Sequence, residues 1–322
     1  MRIVIPDDFP PVYQGHDELD QLEPYGEVVL YGTKAAGEQE LIDRLKGAAA
    51  LINIRAYSRF TADVLAALPD LKIISILGTG TDNVDLEAAS RLGIAVTNVP
   101  GASTVSVAEL AIALMFAAAR HVARADREIR AGRWQHVQGI ELRGKTMGIV
   151  GLGAIGQEVA MMARALGMKL VAWSMTPDDE RMRRVGATPV ELDELLALSD
   201  VVSLHLRSSA RTAGMIGVRE LSLMKPAAIL VNTARGALVD ETALAGALAS
   251  GRLGAAGLDA FVLEPLPSGS PLLKLDNVVL TPHFGWVTDE ATARLRQVPV
   301  DNLIAFFEGR PANVVNPAAL ER

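Results

Sequence analysis

Between Lys145 and Ala160 the chain reads Lys-Thr-Met-Gly-Ile-Val-Gly-Leu-Gly-Ala-Ile-Gly-Gln-Glu-Val-Ala. An apolar, strand-like run enters a turn carrying Gly151, Gly153 and Gly156. A helix-compatible segment, Ala154 to Leu166, follows and ends at Gly167, and a second apolar run, Lys169 to Trp173, comes next. Strand, glycine loop, helix and strand make a βαβ unit. In such a unit the first glycine permits the tight turn, the second lets the backbone approach a pyrophosphate, and the third lets helix and strand pack closely. The helix N-terminus, with Ala154 and Ile155 in its first turn, offers N–H groups to an anion. The spacing alone is a weak signal; its place between two strands makes it a dinucleotide loop rather than a bare turn.

This unit demands a parallel sheet covered by helices, and the rest of the chain alternates accordingly. Before it, strand-like runs at Arg2–Ile5, Val28–Tyr31, Ala50–Ile54, Ile73–Leu77 and Ile94–Thr97 are separated by helical stretches at Ala36–Leu45, Thr61–Leu68 and Leu86–Leu92. After it come the strands Val201–Leu206, Ala228–Asn232, Ala255–Leu258 and Val278–Leu280, with helices at Leu192–Leu198 and Glu241–Ala249. The second set amounts to about six strands, the doubly wound count. From Thr104 to about Arg130 the sequence is Ala-rich and helical, with an apolar stripe too wide for a surface helix, so it reads as a buried, domain-crossing element and a dimer contact. Thr288 to Gly309 reads as one more helix containing Pro299, which packs on the first domain. At 322 residues two domains of ordinary size are expected.

Composition narrows the function classes. Lys and Arg number 31 against 38 Asp and Glu, a formal charge of −7, and no basic run offers a footprint for nucleic acid. The apolar segment Leu110–Ala119 is about half the ~20 residues of a membrane span, and Met1–Asp8 lacks the apolar core of a secretory signal. The chain has no cysteine, which excludes disulfides, cysteine nucleophiles and thiolate metal sites. A cytoplasmic protein that engages neither membrane nor nucleic acid is expected.

In open parallel sheets, ligands bind beyond the C-terminal strand ends. There the second set of strands delivers Thr233-Ala-Arg235-Gly, then Asp259-Ala-Phe-Val-Leu-Glu264-Pro, then Thr281-Pro-His283-Phe-Gly285. A guanidinium fork suits a clamp on a carboxylate or carbonyl, and a histidine suits proton exchange with an alcohol or ketone. A neighbouring carboxylate fixes the ring. Each residue also has a structural reading: Arg235 as a surface ion pair, Glu264 as a solvated charge, His283 as a capped loop residue and Asp259 as a helix cap. In the first set, Gly78-Thr79-Gly80 follows a strand and can aim backbone N–H groups at a carboxylate, with Arg55 as an added cation. The same stretch also reads as a turn with Asp82 or Asp85 capping a helix.

These segments, together with Asn98-Val-Pro-Gly101, Val202-Ser-Leu-His205 and Val231-Asn-Thr-Ala-Arg-Gly-Ala-Leu-Val-Asp240, resemble the D-isomer-specific 2-hydroxyacid dehydrogenases over nearly the whole length. The resemblance implies two Rossmann-like or flavodoxin-like α/β domains with doubly wound parallel sheets. A substrate domain is formed by residues 1–100 plus 288–322, and an NAD(P)-binding domain, residues 101–287, is inserted into it; a dimerisation arm spans residues 104–130. It implies that Arg235 clamps a 2-oxo acid, His283 is the general acid and base, and Glu264 pairs with His283. The Gly78–Gly80 loop would bind the substrate carboxylate. Asp259 would face the nicotinamide, with Thr233, His205 and Gly285 beside the cofactor. NAD or NADP is the implied cofactor, a small 2-oxo or 2-hydroxy acid the substrate, a second copy the partner, and no metal is implied. Two departures stand out. Ser174 occupies the place of the acidic residue that NAD-preferring members use, with Arg207 either a substitute cation or a surface charge, and Trp286 is bulkier than the family's usual residue and, with Tyr57 and Phe60, either walls the pocket or serves in packing. A binding-protein reading on the same fold, that of nucleotide-sensing corepressors, is the rival.

Overall fold

The computed structural model describes residues 1–54 and 58–321, so Arg55 and Tyr57 lie outside the described residues. The chain divides into two compact units, one of Met1–Ser103 with Asp289–Arg322 and the other of Thr104–Thr288.

The first unit holds five strands: β1 (Arg2–Ile5), β2 (Glu27–Leu30), β3 (Ala50–Asn53), β4 (Ile73–Ile76) and β5 (Ala95–Thr97). All pair in parallel in the order β2-β1-β3-β4-β5, the flavodoxin-like winding. Every residue of β3, β4 and β5 is buried, as runs covered on both faces must be. Phe60 is fully buried in this core, so it is a packing residue rather than a pocket wall. Of the two candidate caps, Asp85 starts the helix Leu86–Arg91, its Oδ1 accepting the Ala88 N–H at 2.9 Å. The helix Asp289–Phe307 runs continuously through Pro299 and packs against β4, where the Ser75 hydroxyl donates to the Pro299 carbonyl at 3.1 Å.

The second unit holds seven strands: β6 (Thr146–Val150), β7 (Lys169–Trp173), β8 (Thr188–Pro189), β9 (Val201–Leu204), β10 (Ile229–Asn232), β11 (Ala255–Leu258) and β12 (Val278–Leu280). Their order, β12-β11-β10-β9-β6-β7-β8, winds outward in both directions from the β6/β9 junction, the topological switch point of a Rossmann sheet. The two-residue edge strand β8 is additional to the six expected. Apolar clusters lie on the sheet's two faces; one is built on Met147, Ile149 and Val231, and the other on Val150, Val202 and Leu230.

The Ala-rich stretch is not one helix. It breaks at His121, whose φ of 52° is left-handed, into Thr104–Ala119 and Val122–Arg130, bent by 63°. The first half is apolar nearly all round because it packs inside this unit against β10, β11 and the helix Ala154–Ala165. Gly257 in β11 permits that approach, since a Cβ there would lie 2.8 Å from the Leu114 Cβ. Among the described residues no single helix is long and apolar enough to cross a membrane. Gly257→Val is expected to cost about 1–3 kcal/mol by overpacking this contact, read as a lower thermal midpoint.

Candidate active site

The strand ends of the second unit bring Arg235, Glu264 and His283 together through local devices. At the end of β10, Asn232 is buried; its Oδ1 accepts the Ala234 N–H at 3.0 Å and its Nδ2 donates to the Arg235 carbonyl at 2.9 Å. This side-chain turn fixes the backbone that carries Arg235. The next residue is Gly236, where a Cβ would lie 1.9 Å from the Phe261 carbonyl carbon, so only glycine lets the Arg235 loop rest on the Glu264 loop. Beyond β11 the Phe261 N–H donates to Glu264 Oε1 at 3.0 Å, and the Val262 N–H to Glu241 Oε1 at 2.5 Å.

Beyond β12, His283 sits at a φ of 52°, rarely adopted by residues other than glycine, and its Nδ1 lies 2.8 and 2.9 Å from the two Glu264 oxygens. Backbone strain at such a position marks a side chain whose direction matters. Burial alone would raise the Glu264 carboxyl, but hydrogen bonds from His283 and the Phe261 N–H outweigh it. Together with the charges of His283 and Arg235, they hold Glu264 below the usual carboxylate range. With Nδ1 held by Glu264, Nε2 is the ring nitrogen left for a substrate.

The glycine loop follows β6 at the switch point. Gly151, at φ 99°, has backbone contact with the end of β9: a Cβ there would lie 2.8 Å from the His205 carbonyl oxygen. A Cβ on Gly156 would lie 2.2 Å from the Gly151 carbonyl oxygen, so helix and loop touch through backbone alone. Gly153 caps the helix Ala154–Ala165 without a side-chain bond, and a Cβ there would meet nothing within 4 Å. Two buried polar atoms on neighbouring strand ends, His205 Nε2 and Thr233 Oγ1, have no partner among the described residues. Burial pushes His205 down to about 4, so its ring is neutral at pH 7. An exposed helix start, glycines at the backbone contacts and unpaired polar atoms at the strand ends fit a dinucleotide.

Ser174, at the end of β7, accepts the Leu152 N–H at 2.8 Å and so ties the strand end to the glycine loop. The groove beside it is lined by Trp173, Ser174, Pro177, Val190 and Arg211. Glu191, Glu194 and Arg211 line the same groove; the Arg207 side chain is exposed, and its carbonyl accepts from Thr212. Asp259 is buried and heads no helix; both its oxygens bond the segment that carries His283. Trp286 is half-buried in the turn after His283. In the first unit, Asn98 and Val99 hold the Gly78-Thr79-Gly80 loop through its carbonyls and the Thr79 hydroxyl. Among the described residues no group of His, Asp and Glu side chains is arranged to hold a metal ion.

The family model described as D-isomer specific 2-hydroxyacid dehydrogenase, NAD binding domain, matches residues 112–285. The chain is 40% identical over 306 residues to glyoxylate reductase of Korarchaeum cryptofilum, covering 92% of each chain. It is 42% identical over 286 residues to D-3-phosphoglycerate dehydrogenase of Archaeoglobus fulgidus, covering 88% of this chain but only 54% of that one, so it spans about half the length of this relative. Its fold matches the crystal structure of a glyoxylate reductase from Paecilomyes thermophila with a TM-score of 0.90 at 33% identity, covering 98% of both chains. The chain belongs to the D-isomer-specific 2-hydroxyacid dehydrogenase family. By class it is an oxidoreductase that uses a nicotinamide dinucleotide.

The lowered Glu264 carboxyl carries a signed prediction. A depressed folded-state pKa contributes stability that is fully present above the unfolded carboxylate value of about 4.3 and is lost as pH falls through the folded value. Glu264→Gln is therefore expected to lower the thermal midpoint at pH 7, the difference from wild type closing as pH drops below about 4 in scanning calorimetry.

Proposed function

We propose that the protein is a cytoplasmic reductase of small 2-oxo acids of the glyoxylate or hydroxypyruvate type, forming the D-2-hydroxy acid. The observation that carries the reading is the His283 ring held at 2.8 Å by Glu264, with Arg235 close enough to lower the Glu264 carboxyl. Support for the small-acid class comes from relatives named as glyoxylate reductases that match over nearly their whole length. Those names are of enzymes, which favours turnover over a corepressor-like binding role.

A dinucleotide, when bound, would supply hydride-transfer chemistry to C2 of the substrate. The residues of this chain do the rest. Arg235 pairs its guanidinium with the carboxylate and oxo oxygen, fixing the substrate's face. His283, as imidazolium, gives its Nε2 proton to the oxo oxygen as that oxygen gains charge, and Glu264 stabilises the imidazolium and holds the ring in line. Trp286 bounds the substrate's substituent. His205, Thr233, Ser174 and Gly285 would hold the dinucleotide. Initial rates with NADH and NADPH across a panel of 2-oxo acids test the reading: glyoxylate or hydroxypyruvate should lead, and His283→Ala should lose at least about 100-fold in kcat. Full activity of His283→Ala would sink it.

We also infer a homodimer joined through residues 104–130. The helix Val122–Arg130 has no buried residue, and Val122 and Ile129 are each more than half exposed. They lie seven residues apart on one helical face, which a second copy would cover. The double variant Val122→Glu, Ile129→Glu should run as a monomer in light scattering, where the parent runs as a dimer.

A further inference from the structure

We propose that the cavity beside the first turn of the helix Ala154–Ala165 receives the 2′-phosphate of NADPH, with Arg184 and Arg181 as its cations, so that the protein selects NADPH over NADH. The cavity, of about 510 Å³, is lined by Ala154 and Gln157 from that helix and by Asp178, Glu180, Arg181 and Arg184 in and just before the helix Asp179–Val185. A helix start and two guanidinium groups thus face one space, a combination that suits a phosphate. Arg184 is held there by a buried amide. Gln157 is 5% exposed; its Nε2 donates to the Leu152 and Gly153 carbonyls at 3.2 and 3.1 Å, and its Oε1 accepts from the Arg184 guanidinium. Because this partner is neutral, the arginine keeps its charge for a ligand: among the described residues no carboxylate lies within ion-pair distance of Arg184.

The end of β7 removes the usual obstacle. An acidic side chain there would hold the ribose hydroxyls and repel a 2′-phosphate. Ser174 stands in its place, and its Oγ accepts the Leu152 N–H at 2.8 Å. Leu152 joins the two sides, its N–H bonded to Ser174 and its carbonyl to the Gln157 that carries Arg184. The guanidinium is therefore tied to the same residue of the glycine loop as the strand end, where a dinucleotide presents its adenosine ribose. Two carboxylates share the cavity, and they differ. Asp178 is engaged: its Oδ1 accepts the Glu180 and Arg181 N–H groups at 3.1 and 3.0 Å, and its Oδ2 lies 2.9 Å from Arg181 Nε. Glu180 is exposed, so water screens its charge, whereas Arg184 is fixed from beneath.

The inference rests on the dinucleotide reading of the glycine loop, and the test separates the two. Isothermal titration calorimetry with 2′,5′-ADP and with 5′-ADP reads the extra phosphate alone, without turnover. The parent protein is expected to bind 2′,5′-ADP at least about 10-fold more tightly, as one charge-assisted hydrogen bond supplies. Arg184→Ala should cut that ratio by about 10-fold, and Arg184→Lys, which keeps the charge but loses the fork, by less. The double variant Arg181→Ala, Arg184→Ala should bring the ratio close to one. Glu180→Gln, which removes the opposing charge, should raise it by about threefold. The ratio of kcat/KM for NADPH over NADH should follow the same order. Equal affinities in the parent, or a ratio unmoved in the double variant, would overturn the site. Binding of neither nucleotide would instead overturn the dinucleotide reading beneath it, and the inference with it.

Discussion

Backbone contacts that only glycine permits set the distances on which the second unit depends. Gly156 against the Gly151 carbonyl presents a helix start to the switch point, Gly236 against Phe261 lays the Arg235 loop on the Glu264 loop, and Gly257 against Leu114 seats a helix beneath β11. Main-chain and Cβ atoms do not move when a rotamer changes, so each of these spacings is set by the course of the main chain. Side-chain chemistry at the sheet edge is built on that frame, and a shift at any one of the three would propagate into loops carrying charge.

Buried Asn and Asp side chains at the strand ends pass the regularity of the sheet into the loops. Asn232 bonds the turn that carries Arg235, and Asp259 bonds the segment that carries His283. Neither is exposed, and each uses both polar atoms of its side chain on backbone or hydroxyl groups nearby. The electrostatics are correspondingly divided. His205 is neutral because burial strips its charge, whereas Glu264 stays ionised because His283, a backbone N–H and Arg235 surround it. Two histidines on one sheet edge thus play different parts by environment alone.

Periodicity and punctuation disclosed most of the architecture. Apolar runs of four or five residues between Gly, Pro and Asp punctuation showed where most strands lie, and residues just past strand ends proved to be the ones brought together. What escaped was short or long-range. The two residues of β8 carry no period, and the helices Asp179–Val185 and Val218–Leu223 are too brief to show a face. The break at His121 was hidden because Ala-rich sequence on both sides suits a helix, while the left-handed residue between them bears no glycine to announce it. Gly236 and Asn232 matter through neighbours distant in sequence or through a turn geometry that composition leaves open. For Asn232, its place two residues before Ala234 at a strand end is the signal of a side-chain turn.

The first unit is assembled from both ends of the sequence, and this orders its birth. Its β4 is covered by the helix Asp289–Phe307, and the Val96 N–H in β5 donates to Asn316 Oδ1 at 2.7 Å. On a ribosome the strands β1 to β5 emerge before the second unit, and the pieces that seal them emerge only after the whole of it. The intervening unit, contiguous in sequence, can close its core while the earlier strands still wait with an apolar face uncovered. The strands of the first unit therefore wait for their covering pieces at least as long as translation of the inserted unit takes.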